Sequence, residues 1–150
     1  MDAAELEARA AALVDAGRYL TLGTADADGT PWVSPVWYAH VDAREFLWVS
    51  RTHRRHSRNI AVRPEVSIVV FDSHAPLYEG VAVFATARAA LLEDEDAARG
   101  IEVFSARSLA QGSRPWTLAD VSPPGGLRLF RATALARDLG FDDERHPLPS

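Results

Sequence analysis

The chain has 150 residues, a formal net charge of −5 and 47% apolar residues, which fits one soluble domain with its own core and no second domain. It has no Cys, which excludes a disulfide scaffold, Cys-ligated zinc or iron–sulfur and a thiol nucleophile. All 16 of its basic residues are Arg, so no lysine Schiff base or Walker lysine is possible. Residues 2–17 read as a helix: Asp2 caps it, Glu5 completes a capping box, Leu6, Ala10, Leu13 and Val14 form an apolar stripe, and Gly17 stops it. The chain then switches to period two. Arg18–Thr24 is a strand, Asp28-Gly29 a turn, and Pro31–Ala39 a second strand whose two prolines suit an edge, a bulge or an interrupted ladder. Glu45–Ser50 is a third strand.

A basic segment follows, with Arg51, Arg54, Arg55, Arg58 and Arg63 in a stretch that contains no acid. Ser57–Val62 looks helical and stops at Arg63-Pro64. Glu65–Phe71 and Val81–Leu92 are the fourth and fifth strands, joined by a loop over Asp72–Glu79. The acids at 93–96 open a helix that carries Ile101 and Phe104 inward and fades near Ser108. Residues 111–126 read as irregular, Leu127–Ala136 as a sixth strand, and the tail from about 138 as loosely held. The connections are of hairpin length, so the expected fold is mainly β with peripheral helices: six antiparallel strands in a closed or split barrel. The N-terminus lacks the basic start and apolar centre of a signal peptide, no apolar run is long enough for a membrane helix, and a cytoplasmic location is expected.

The richest chemistry lies in Val49–Asn59. Loop N–H groups at a helix start, the hydroxyls of Ser50, Thr52 and Ser57, and the forks of Arg51 and Arg55 suit an anion such as a phosphate, with His56 as a further donor. The alternative is a solvated basic helix start. The strand Ser34-Pro35-Val36-Trp37-Tyr38 precedes it by one hairpin, so the two can lie side by side. Trp37 and Trp48 offer flat faces to an aromatic ring, or pack in a core or a dimer interface. The five His residues lack ligand spacing, so no metal site is expected. No glycine-rich phosphate loop or nucleophile elbow occurs, and the negative net charge speaks against nucleic acid.

TLGTADADGTPWVSPVWY, FLWVSRTHRRHSRNIAVRPEVSIVVFD and EGVAVFATARAALL together resemble the pyridoxamine 5′-phosphate oxidase-like, FMN-binding split-barrel family. The resemblance implies a homodimer that binds FMN at its interface and acts as an oxidoreductase on a small molecule. It implies Ser34, Pro35, Val36 and Trp37 along the flavin ring and ribityl chain, Val49 and Ser50 at the end of the next strand, and Arg55 and His56 on the phosphate, where many members have Arg-Lys. With Arg51 and Ser57 from the basic turn, these form the expected cofactor site. Residues near Glu79–Val81 and Trp116 are expected to reach the partner's cofactor. Vitamin B6 oxidation is not expected. The last strand lacks the Trp and Arg-x-His-x-Arg of the namesake enzyme, and Ala39 stands near its substrate-phosphate lysine. Two alternatives remain. One is a reductase that uses the deazaflavin F420, whose acidic tail suits Arg54 and Arg58. The other is a flavin- or haem-binding protein without turnover.

Overall fold

A computed structural model describes residues 1–150. Helix α1 (Ala3–Ala16) has the expected reciprocal cap: the Glu5 N–H donates to Asp2 Oδ1 at 2.8 Å and the Asp2 N–H to Glu5 Oε2 at 2.9 Å. Its buried stripe is Leu6, Ala10 and Val14. The strands are β1 (Tyr19–Ala25), β2 (Pro31–Trp37), β3 (Ala39–Val41), β4 (Glu45–Arg51), β5 (Glu65–Phe71), β6 (Ala82–Leu91), β7 (Leu127–Phe141) and β8 (Glu144–Pro147). Helix α2 (Arg55–Val62) lies between β4 and β5, α3 (Asp94–Ala110) follows β6, and a short 3-10 turn covers Leu118–Val121.

All the strands pair antiparallel, in the order β2-β1-β5-β6-β7-β4-β3, with β8 added on β7. This is a curled split-barrel sheet. No helix is long and apolar enough to cross a membrane.

The strand count differs from the expected six for two physical reasons. The Pro31–Ala39 stretch breaks at Tyr38. Its N–H donates to Arg18 O at 3.2 Å and its hydroxyl to Val14 O at 2.6 Å, so it leaves the ladder to tie α1 to the sheet. Burial pushes that hydroxyl's pKa up to about 12. The segment expected to be loose is held: β7 runs on to Phe141, β8 pairs with it, and Leu139 and Leu148 are buried. Arg137 anchors it as well, with two bonds of 2.9 Å to the Glu7 carboxylate and one to Pro149 O. The Glu7 partner comes from the opposite end of the chain, so the local polarity of the tail did not reveal it.

The main core fills the curl between the strands and α1, with Trp48, Tyr38 and Phe46 fully buried. A second cluster lies under α3, where Ile101 and Phe104 meet Leu47, Leu92 and Leu129.

Candidate functional site

A cleft of about 920 Å³ opens between β2, the end of β4, the start of α2 and the C-terminal half of α3. Of the residues expected to hold a cofactor, Ser34, Pro35, Val36, Trp37, Val49, Ser50, Arg55 and His56 line it. Arg51 and Ser57 do not. Ser50 faces the cleft, whereas the Arg51 guanidinium lies against Gly126, where a Cβ would come within 2.6 Å of its Nη1. Ser57, one position past His56 on α2, faces a separate hollow with Thr52, Arg58 and Phe130, and its Oγ is buried without a partner.

Trp48 is not a cleft residue. It is fully buried and stacks on Phe130 with ring centres 6.0 Å apart. Trp37 is half-buried in the cleft wall. Its Nε1 donates to Gln111 Oε1 at 3.0 Å and its ring meets Phe104 edge to face. Trp116 meets Phe104 in the same way and lines the cleft of its own chain. Ala39, where the family's substrate lysine would stand, is fully buried outside the cleft.

The basic end is organised in three parts. The Arg55 guanidinium takes Asp26 in a two-point pair and lies 4.1 Å over the Trp32 ring. That pairing holds the Asp26 carboxyl below its ordinary value and raises the arginine. Arg54 also lines the cleft but has no ion pair and no side-chain hydrogen bond. His56 is buried, with its Nε2 3.0 Å from Ser50 Oγ. Burial, and then the charge of Arg54, push its pKa below the ordinary value, so the imidazole is neutral at physiological pH. Asn59 fixes the helix beneath: its side-chain amide donates to Thr24 Oγ1 at 3.0 Å.

Sequence reasoning missed Arg18, Phe104, Ser108, Gln111 and Ser113, which also line the cleft. The far side of the cleft comes from α3 and the turn after it, far along the chain from β2. The inward register of Phe104 was the one legible signal.

No curated protein matches the sequence. Among solved structures, the chain is similar to a haem-binding protein from Mycobacterium smegmatis, with a TM-score of 0.76 and 17% identity over 98% of this chain and 58% of that one. It is also similar to HutZ, the haem storage protein from Vibrio cholerae, with a TM-score of 0.69 and 22% identity over 91% and 94% of the two chains. A third is a Clostridium acetobutylicum protein of the pyridoxinephosphate oxidase family related to a general stress protein, with a TM-score of 0.68 and 12% identity over 99% and 96%. At these identities the likeness shows the fold. The family model described as pyridoxamine 5′-phosphate oxidase matches residues 6–136, and by that match the chain belongs to the pyridoxamine 5′-phosphate oxidase family.

Proposed function

We propose that the chain is an FMN-dependent oxidoreductase that works as a homodimer on a small-molecule substrate. One observation carries this reading. The uncommitted Arg54, the Ser50–His56 pair at the start of α2 and the Trp37 wall all line one cleft that contains no carboxylate. That donor set fits a phosphate at one end and a flat ring along β2. When bound, flavin supplies hydride transfer, and the protein supplies orientation, electrostatics and exclusion of water. Arg54 would neutralise the phosphate, the Ser50–His56 pair would offer one further donor beside it, and the Trp37–Phe104–Trp116 wall would keep water from the ring. Tyr19, Val33, Leu77 and Tyr78 are exposed apolar side chains that suit burial against a second copy.

The test is the absorbance spectrum of freshly purified protein, followed by titration of apo protein with FMN. A flavin spectrum, or quenching of FMN fluorescence, is expected, and neither appearing sinks the reading. Parallel titration with F420 decides between the cofactors, because Arg54 and Arg58 are both without an acidic partner. Sedimentation should give a dimer.

A second reading, haem binding without turnover, is supported by the two similar structures described as haem-binding and haem-storing. It is the weaker one, because His56 is the single histidine in the cleft and is already bonded to Ser50. A Soret band in place of flavin bands would favour it.

A further inference from the structure

We propose that the end of the cleft opposite Arg54 and Arg55 binds the acid group of a flat, conjugated carboxylic acid, that Arg18 is its partner, and that this is the substrate class of the enzyme. The proposal rests on the flavin reading above for the meaning of "substrate"; its charge selectivity comes from Arg18, which that reading does not use, and its aromatic wall is shared with it.

Arg18 precedes Tyr19, which pairs with Trp37 across the β1–β2 ladder. Arg55 lies over Trp32, at the other end of the same strand. Five residue steps of extended chain separate the two tryptophans, about 16 Å at the rise of a strand. The cleft therefore has two cationic ends, and one phosphate cannot engage both.

Arg18 is exposed and makes no ion pair and no side-chain hydrogen bond. The neighbouring acid is already taken: Asp15 pairs with Arg107 at 3.0 Å and with His40 at 3.1 Å, and Arg107 also holds Asp15 O and Gly17 O. No Asp or Glu lines the cleft, although the chain as a whole carries a net charge of −5. An anion at Arg18 therefore meets an uncompensated cation and no repelling carboxylate.

The surface beside Arg18 selects the rest of the molecule. Trp37, Phe104 and Trp116 form an edge-to-face wall, and the bond from Gln111 locks the Trp37 ring in place. Such a wall favours a planar ring system over an aliphatic chain.

Naphthoate and its neutral analogue naphthamide are suitable probes, being alike in shape and different in charge. Each is titrated into FMN-loaded wild-type protein and into Arg18→Gln and Arg18→Lys, and binding is followed by tryptophan and flavin emission. Wild type should bind naphthoate on the order of tenfold more tightly than naphthamide. Arg18→Gln should erase that preference, Arg18→Lys should keep part of it, and FMN affinity should stay within about twofold in both, since the phosphate lies at the other end. Equal binding of acid and amide by wild type, or a preference that survives Arg18→Gln, overturns the proposal. If FMN does not bind, the flavin reading has failed, and the same titrations in flavin-free protein still score Arg18 through tryptophan emission.

Discussion

Asp26 and Arg55 meet side on. Arg55 Nε lies 3.0 Å from Asp26 Oδ1 and Nη2 lies 2.6 Å from Oδ2. The arginine in the family's phosphate position thus arrives with a carboxylate already on its fork, and an incoming phosphate must share or displace it. Asp26→Asn removes that competitor. FMN should then bind about threefold more tightly while riboflavin is unaffected. Parallel fluorescence titrations with the two flavins check this, and weaker FMN binding would mean that Asp26 chiefly positions Arg55.

Arg54 has no such competitor. Arg54→Ala should weaken FMN on the order of tenfold, at least as much as Arg55→Ala, with little change for riboflavin. Calorimetric titration of both variants ranks the two arginines.

His56 makes stability depend on pH. Its folded pKa lies below the ordinary 6.5 because it is buried and faces Arg54. Between the folded value and 6.5 the unfolded chain binds a proton that the folded chain excludes. Stability is therefore fully present above about 6.5 and falls as the pH drops through that window. Melting temperatures from pH 8 to pH 5 should show the decline, and His56→Gln should flatten it. Arg54→Ala should move the His56 titration upward, which NMR of the imidazole protons would detect.

Gly100 is the point where α3 rests on the sheet. A Cβ there would stand 2.9 Å from Leu129 Cδ2, 3.1 Å from Leu92 Cδ1 and 3.3 Å from Leu47 Cδ2. Gly100→Ala gains about 1 kcal/mol of helix propensity and loses about 1–3 kcal/mol to overpacking. A net loss of about 1 kcal/mol follows, seen as a lower urea midpoint at unchanged slope. Because Phe104 lies farther along the same helix and Gln111 caps its end, ligand affinity should fall with it.

The parts of this molecule that were legible in sequence are those governed by neighbouring residues. The Asp2–Glu5 cap, the Asp28-Gly29 turn and the β-branched strand from Glu65 to Phe71 follow from short-range chemistry, and the structure has each of them. Pro31 and Pro35 left an edge, a bulge or an interrupted ladder open, and of these β2 is an edge. What was hidden depended on distant partners. Trp48 looked as available as Trp37 until Phe130 was seen to cover it. Asp26 carries no local signal, because the fork it binds lies 29 positions away. One wall of the cleft comes from α3 and the segment after it, where Gln111 and Ser113 fall in a stretch that carries no periodic pattern.

The break at Tyr38 has a mechanical meaning. β2 and β3 stand at opposite ends of the sheet order, yet one residue separates them in the chain. The sheet is stitched at its open seam, and Tyr38 is clamped there from α1 and β1. The wall that carries Trp37 therefore cannot slide away from the wall that carries Ser50 without tearing out that clamp. The Trp37–Gln111 bond ties the end of α3 to the same wall, so Trp37 is held both along the seam and across the cleft.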